Sequence, residues 1–451
     1  MLVRLVRFGI LSLVRLFYPR IEVRGRHNLP ARRPMLLVAN HPNSLLDPLI
    51  IMIGIGRPVS FLAKSTFFAN PAGRLLMDAF GALPVYRQGD EGMEGQTYSD
   101  RIDRNEATFA RCRALLRSAQ PLALFPEGTT HSNTTMLPLR TGAARIALSA
   151  AAESDNWLDL QIVPLGLWYQ NKSRFRSPVL LVVGQPFGLA EFAAQYSADP
   201  RQAADALTER IGLRLDSVVL QAENAELLRG IPSIAAWTAA QEPQTLEEQH
   251  ARAAELLAAY QRLRTLDPAQ LEQIEQHARR YARVLRTLGV EDPWDLELNT
   301  ARRGRIFWLG FVLLIGFVPA LAGFALSYAP YRLAAPLTPV LMGDYEELLS
   351  TGKLIIGTIL VALGWVIAAV IAGALFGALW GLLLLALAPP LAYIALRWGE
   401  SWHEFREALS GLWLILRHRT LVQELVARRQ ALTEQVAEAV RIAEAAIKSD
   451  M

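Results

Sequence analysis

The chain has 451 residues, of which 52% are hydrophobic and only 20% are charged, and its mean hydropathy is +0.21. This composition is too apolar for an ordinary soluble enzyme and excludes both a disordered chain and a fibrous repeat. The net charge is +4, and 42 of the 46 basic residues are arginine, a ratio that codon bias explains most simply. We therefore expect a membrane surface or a phosphate substrate as the partner, and no nucleic acid.

Cysteine and histidine usage limits the chemistry further. Cys112 is the only cysteine, which excludes an internal disulfide and a multi-thiolate metal site and is compatible with a reducing, cytosol-facing compartment. None of the seven histidines forms an H-E-x-x-H or H-x-x-x-H pattern. We expect no metal site and no resident cofactor.

Residues 1–20 are predicted to form an interfacial amphipathic helix. They contain too many arginines for a spanning helix and no signal-peptide cleavage site. Arg4, Arg7 and Arg15 gather on one face at helical spacing, and apolar residues fill most of the remainder. The alternative is a helix docked on its own domain.

Residues 21–230 are predicted to form one α/β domain. Helical patterns at 47–56, 102–119 and 140–153 alternate with short apolar runs, and nearly continuous apolar strands indicate a sheet covered on both faces. The predicted strands are PMLLVAN, VSFLAK, ALPVYR, PLALFPEG, LQIVPLGL and PVLLVVGQP. A helical extension over 231–305 follows, with a capping box at Thr245 and Glu248 and an N-cap at Asp267 before Pro268.

Residues 306–398 are predicted to be a membrane region, and 399–451 a C-terminal amphipathic helical segment. The 43 uncharged residues of 354–396 would reach about 64 Å as one helix, so they should fold back as two spans near Gly373, Gly377 or Gly381. Basic residues flank both apolar stretches, and the positive-inside rule places them all in the cytosol. That placement requires 306–331 to dip into the bilayer and return, bending at Pro319, or to pack beside the catalytic domain; simple hydropathy predicts three spans instead.

Two loops that leave predicted strands carry the candidate chemistry. His41 and Asp47 lie in N-H-P-N-S-L-L-D, where Asp47 before Pro48 is a predicted helix N-cap and also able to orient the imidazole as a general base. Taken alone, a cap and a loop histidine explain these residues better. The second loop, F-P-E-G-T-T-H-S, contains Glu127 and Gly128, and glycine suits close approach to a substrate. Because α/β folds bind ligands at strand ends, the two loops together favour a site.

The ordered blocks N-H-P-N-S-L-L-D, G-A-L-P-V-Y-R, F-P-E-G-T-T-H-S and I-V-P-L-G-L resemble the four motifs of the glycerolipid acyltransferase superfamily, which includes glycerol-3-phosphate and lysophosphatidate acyltransferases. The resemblance covers about 20–190. Five residues separate His41 from Asp47, where the superfamily usually has four. This spacing and the apolar C-terminal extension resemble the fungal-type glycerol-3-phosphate/dihydroxyacetone-phosphate acyltransferases. The resemblance implies a mixed sheet flanked by helices, with the helical extension and a C-terminal transmembrane hairpin.

The resemblance also implies roles for individual residues. His41 is the implied general base and Asp47 orients it, while the acceptor-binding residues are Arg87 for the phosphate and Glu127 with Gly128 for a glycerol hydroxyl or the loop itself. Pro164 is expected to shape the acyl pocket, and Lys64 to add positive charge or to be a solvated strand-end lysine.

The implied activity is acyl transfer from acyl-CoA or acyl carrier protein to glycerol 3-phosphate or dihydroxyacetone phosphate in phospholipid synthesis. We expect an integral membrane protein, contacting membrane lipids, with its active site facing the cytosol, in a bacterial inner membrane. Two alternatives stay open: a 1-acyl-glycerol-3-phosphate acyltransferase, and a catalytically silent lipid-binding membrane protein.

Overall fold

The computed structural model describes residues 2–31, 33–86, 98–154, 157, 159–239, 245–290, 294, 300–343 and 345–450. The strands in these residues are β1 (Ile21–Arg24), β2 (Met35–Ala39), β3 (Ser60–Lys64), β4 (Ala82–Val85), β5 (Leu122–Leu124), β6 (Gln161–Tyr169) and β7 (Val179–Val183). The helices are α1 (Leu2–Phe17), α2 (Leu46–Ile55), α3 (Pro71–Ala79), α4 (Tyr98–Arg117), α5 (Gly142–Ala152), α6 (Ala193–Ala198), α7 (Pro200–Asp216), α8 (Ala225–Trp237), α9 (Leu246–Leu266), α10 (Pro268–Leu288), α11 (Thr300–Met342), α12 (Glu346–Phe376), α13 (Ala378–Arg417) and α14 (Arg419–Asp450). All six predicted strands are present as β2 to β7, and β1 is an additional one.

The strands form one mixed sheet in the order β1-β7-β6-β2-β5-β3-β4. Each neighbouring pair is parallel except β6 with β7. The strands β2, β5 and β7 are buried along their whole length, as expected for apolar strands covered on both faces. Because β6, β2, β5, β3 and β4 run parallel, their carboxyl ends meet at one edge, which we call the carboxyl edge. The predicted mixed α/β fold is confirmed.

Helix α1 presents two apolar surfaces. Val14 and Phe17 are at most 2% exposed and belong to the core of the sheet domain. Leu5 and Phe8, nearer the start of the helix, are 66% and 69% exposed. The helix therefore docks on its own domain and still offers an apolar surface to a membrane; its interfacial role stays a prediction.

Both predicted capping signals of the helical extension are confirmed. Thr245 and Glu248 form a reciprocal capping box at the start of α9. The Asp267 side chain accepts a hydrogen bond from Gln270 N at the start of α10, where Pro268 is the first helical residue. These contacts satisfy backbone donors that have no partner inside a helix, so local sequence fixes where the two helices begin.

Three of the described helices are long and apolar enough to cross a membrane: Gly304–Met342, Glu346–Phe376 and Ala378–Arg417. The stretch 354–396 is divided between α12 and α13, which meet at Gly377, whose φ is +99°; that the two helices cross a membrane as a hairpin stays a prediction. Gly373 and Gly381 lie where the two helices approach each other, since a Cβ on Gly381 would lie 3.1 Å from the Gly373 Cα. Glycine at both positions permits this contact.

The predicted dip of 306–331 into the bilayer and back stays a prediction, but the helix shows no break at Pro319. Helix α11 continues through Pro319 and three further prolines to Met342. Proline removes one backbone donor and crowds the preceding turn, yet packed apolar helices tolerate it by local adjustment. The first half of α11 contacts α13 at Trp398, and a later part contacts α12, where Trp365 Nε1 donates to Ser327 Oγ at 3.0 Å.

The chain divides into two compact units, one of residues 1–225 with 344–354, the other of residues 226–343 with 355–451. The first turns of α12 therefore belong to the sheet domain, although the sequence predicts them as part of the membrane region. Glu346 pairs with Lys172 at 3.3 Å, and Ser350 Oγ donates to Lys172 O at 2.5 Å. Leu354 packs against the core of the domain.

Candidate active site

The loop that leaves β2 at the carboxyl edge holds a histidine–aspartate pair. Asn40 fixes the exit of the loop, because its side chain bonds both Leu167 N and Leu167 O on β6. His41 Nδ1 lies 2.8 Å from Asp47 Oδ2, and the imidazole stacks on Phe125 with the ring centroids 3.9 Å apart. Asp47 is fully buried, whereas the His41 side chain keeps 16% of its surface exposed. Since Nδ1 is used by Asp47, Nε2 is the nitrogen left to accept a proton.

Asp47 is not the N-cap of α2, contrary to the sequence prediction. The helix begins at Leu46 after Leu45, and Asp47 already lies within its first turn. A tight turn with Ser44 at φ +47° brings Asn43 N within 2.7 Å of Asp47 Oδ2. The carboxylate therefore turns back towards the loop before the helix, and the five-residue spacing lets it reach both Asn43 N and His41.

Two tyrosines that the sequence analysis missed complete the surroundings of Asp47. Tyr169, the last residue of β6, donates its hydroxyl to Asp47 Oδ1 at 2.5 Å. Asn43 Nδ2 donates to the Tyr18 hydroxyl at 2.8 Å, and Tyr18 donates to Lys172 O at 2.5 Å. Burial and then the Asp47 carboxylate raise the pKa of Tyr169 well above its usual value, so this hydroxyl remains a donor. A polar residue at the carboxyl end of β6 is the one sequence signal for Tyr169.

The loop after β5 is built around the Glu127 carboxylate. Glu127 Oε1 accepts from His41 N at 3.3 Å, and Oε2 accepts from Leu137 N at 2.8 Å and pairs with His131 Nε2. His131 N in turn donates to His41 O at 3.4 Å. Glu127 is 2% exposed, so its contacts hold the two loops together. Of the two roles expected for Glu127, this geometry favours the loop itself over an acceptor hydroxyl.

The other predicted site residues differ in their position in the sheet domain and in burial. Gly128 has φ +74° in the same loop, a conformation that favours glycine. Lys64 ends β3 at the carboxyl edge. Pro164 is buried inside β6, opposite Val38, and its carbonyl accepts from Gly184 N. Arg87 lies outside the described residues.

The arrangement suits proton abstraction from a hydroxyl. An imidazole whose Nδ1 faces a buried carboxylate is held in one tautomer, and the carboxylate stabilises the imidazolium that forms when Nε2 takes a proton. Among the described residues, no group of three or more histidine, cysteine, aspartate or glutamate side chains is arranged to hold a metal ion.

Comparison with known proteins bears on the same part of the chain. Residues 20–168 match the acyltransferase family model. This part of the chain is similar to acyltransferases. The predicted resemblance to the glycerolipid acyltransferase superfamily is confirmed, and the match includes His41, Asp47, Glu127 and Gly128.

The relatives of the chain include enzymes named for both acceptors. It is 26% identical over 295 residues, 48% of this chain, to an uncharacterized acyltransferase of Schizosaccharomyces pombe. It is 32% identical over 132 residues, 29% of this chain, to glycerol-3-phosphate O-acyltransferase 2 of Saccharomyces cerevisiae. It is 30% identical over 148 residues, 33% of this chain, to human 1-acyl-sn-glycerol-3-phosphate acyltransferase alpha. The matches span 44%, 18% and 48% of these relatives, so the chain covers less than half of each.

Proposed function

We propose that this protein transfers a fatty acyl group from acyl-CoA or acyl carrier protein to a hydroxyl of glycerol 3-phosphate or dihydroxyacetone phosphate. The observation that carries the proposal is the His41–Asp47 pair, at 2.8 Å, inside a matched acyltransferase domain. A buried carboxylate behind a partly exposed imidazole supports general-base catalysis.

In the proposed reaction, the acceptor hydroxyl gives its proton to His41 Nε2 while its oxygen attacks the thioester carbonyl carbon of the donor. The new C–O bond forms, the C–S bond breaks, and the imidazolium returns the proton to the departing thiolate. Asp47 stabilises the imidazolium through Nδ1, and Tyr169 and Asn43 N hold Asp47. The acyl donor is a co-substrate, and no resident cofactor enters any step.

The choice of glycerol 3-phosphate as acceptor rests on the five-residue spacing between His41 and Asp47 and on the similarity to the yeast enzyme. The second candidate is acylation of a 1-acyl lysophospholipid, which the similarity to the human enzyme favours. Arg87, Gly128, Lys64 and Pro164 keep their proposed substrate-binding roles, whereas Glu127 is proposed to hold the loop. A catalytically silent lipid-binding protein is disfavoured, because such a protein would not need the intact His41–Asp47 pair.

The proposed location is a membrane, with the active site facing the cytosol of a bacterial cell. Three long apolar helices support membrane association. Lipid substrates and products would then diffuse in the same bilayer to which the protein is anchored.

The test is acyl transfer by the purified full chain in lipid nanodiscs, with labelled glycerol 3-phosphate and 1-acylglycerol 3-phosphate offered separately and products identified by mass spectrometry. His41→Ala should lower turnover by about 10²- to 10⁴-fold. His27→Ala is the matched control, because His27 is an exposed histidine of a 3₁₀ helix and should be dispensable.

The outcomes separate the candidates. Preference of the wild-type protein for the lysophospholipid would select the second candidate. Turnover above about a tenth of wild type in His41→Ala would remove the base assignment, and a wild-type protein inactive with every acceptor would favour the silent alternative.

A further inference from the structure

Arg140 lies directly over the turn of the catalytic loop at Gly128. Its backbone N donates to Pro126 O at 2.8 Å, which ties it to the same turn. A Cβ on Gly128 would lie 2.7 Å from both Arg140 Cδ and Nε, and 3.3 Å from Cζ. The side chain of Arg140 thus occupies the space in which a side chain at position 128 would lie, and its aliphatic part covers the turn.

The turn that Arg140 covers is joined to the general base. Glu127, the residue before Gly128, accepts a hydrogen bond from His41 N, and His131 N donates to His41 O. The guanidinium therefore lies beside a loop that contacts the reacting histidine through two further bonds. Arg140 is thus linked to His41 through the turn at Gly128 and the carboxylate of Glu127.

The charge of Arg140 is available to a ligand. Arg140 is exposed, and within the described part of the chain its guanidinium makes no hydrogen bond or ion pair. Lys172, the other cation at this loop, already donates to Ser132 Oγ at 2.7 Å and pairs with Glu346. Glu127 is buried and engaged with His41, His131 and Leu137 N. A cation without an acidic partner next to a catalytic base fits an anionic substrate.

We propose that Arg140 binds the phosphate of the acceptor, in addition to the role proposed for Arg87, and makes the enzyme select phosphomonoesters over neutral alcohols. This inference deepens the proposed function and rests on it. The planar guanidinium can donate two parallel hydrogen bonds to a phosphate, and its contact with Gly128 restricts its position. Glycine at 128 thereby serves both the positive φ and the approach of Arg140.

The experiment compares Arg140→Gln and Arg140→Lys with wild type in nanodiscs. Each protein is assayed with glycerol 3-phosphate and 1-acylglycerol 3-phosphate, and with their phosphate-free counterparts glycerol and monoacylglycerol. Arg145→Gln is the matched control, because Arg145 is an exposed arginine on α5 whose side chain makes no ion pair among the described residues.

Arg140→Gln should raise the KM for the phosphate-bearing acceptor by about 10- to 100-fold, the range for a lost hydrogen bond to a charged group. Arg140→Lys should raise it less, since lysine keeps the charge and loses the fork. The KM for acyl-CoA and the rate with the phosphate-free acceptor should stay at wild-type values in both variants. Arg145→Gln should match wild type throughout.

A merely structural Arg140 would lower turnover with phosphate-bearing and phosphate-free acceptors alike, and that result would overturn the proposal. So would an Arg140→Gln acceptor KM within twofold of wild type, or an equal effect of Arg145→Gln. If the wild-type protein transfers no acyl group, the proposed function fails. The role of Arg140 is then tested separately by calorimetric binding of glycerol 3-phosphate. Binding by wild type that is lost in Arg140→Gln supports the phosphate site, whereas equal binding or none refutes it.

Discussion

Tyr169→Phe removes one hydroxyl from the network that holds Asp47. The Asp47 carboxylate is fully buried and receives three hydrogen bonds, from His41 Nδ1 at 2.8 Å, Asn43 N at 2.7 Å and Tyr169 at 2.5 Å. Only the bond from Tyr169 reaches Oδ1 among the described residues, so phenylalanine leaves that oxygen buried without a donor. A hydrogen bond to a charged group contributes about 1.5–3 kcal/mol, and an unsatisfied buried oxygen carries a cost of that order.

This loss should be visible in both stability and turnover. A domain of this size should lose about 3–12 °C in the midpoint of thermal inactivation. If the carboxylate holds the imidazolium in the transition state, kcat should fall about 10- to 100-fold with little change in the acceptor KM. The assay is steady-state acyl transfer, with the residual activity measured after heating.

Tyr18→Phe is the matched control. It removes the same group from a buried tyrosine of the same network, which bonds Lys172 O and Asn43 and makes no direct bond to Asp47. Tyr18→Phe should lose about 1 kcal/mol of stability and keep kcat within a few-fold of wild type. Wild-type kcat in Tyr169→Phe, or an equal loss of kcat in the two variants, would refute a positioning role for Tyr169.

Three further outcomes are expected. The described residues 345–354 pack in the sheet domain, and the described residues of 226–299 contain no candidate span. Val340→Cys should therefore resist a membrane-impermeant maleimide applied from the outer face, whereas Phe376→Cys, at the end of α12 next to the turn, should react. Labelling of position 340 from outside would favour three crossings. Cys112 is fully buried and burial raises the pKa of its thiol to about 12, so it should react with iodoacetamide at pH 8 only after denaturation, and rapid reaction of the folded protein would contradict this. Burial raises the pKa values of Tyr18 and Tyr169 above the unfolded value of about 10. Their protonated forms therefore contribute fully to the free energy of unfolding below pH 10, and this contribution is lost as the pH rises towards the folded-state values. Denaturant melts from pH 8 to 11 should show a falling free energy of unfolding, and a flat profile would exclude this contribution.

Local sequence alone determined most of the secondary structure. The continuous apolar runs of β2 and β7 predict buried strands because a strand covered on both faces has no polar side. Thr245 with Glu248 and Asp267 with Pro268 predict helix starts because capping needs only residues within one turn. The turn at Gly377 was predictable because the uncharged stretch, as one helix, is much longer than the bilayer is thick.

The candidate site was predictable in its two loops and not in their connections. Each loop follows a strand, and a parallel sheet brings the carboxyl ends of its strands to one edge. The motifs that resemble those of the family contain the site residues His41, Asp47, Glu127 and Gly128. Side-chain direction was not predictable, since a residue that caps a helix and one that turns back to a histidine have the same sequence context. The sequence accordingly left Asp47 two roles, an N-cap and the partner of His41, and the turn at Ser44 decides between them by directing the carboxylate to His41.

Only the tertiary structure decided which distant residues join the site. Tyr169 reaches Asp47 across 122 positions, Tyr18 reaches Lys172 across 154, and Ser350 reaches Lys172 across 178. Such contacts depend on strand order and on how the chain returns to the domain at 344–354, which no local propensity encodes. The path of α11 through Pro319 was likewise set by its packing against α12 and α13, because neighbouring helices in an apolar environment stabilise a helix that proline alone would weaken.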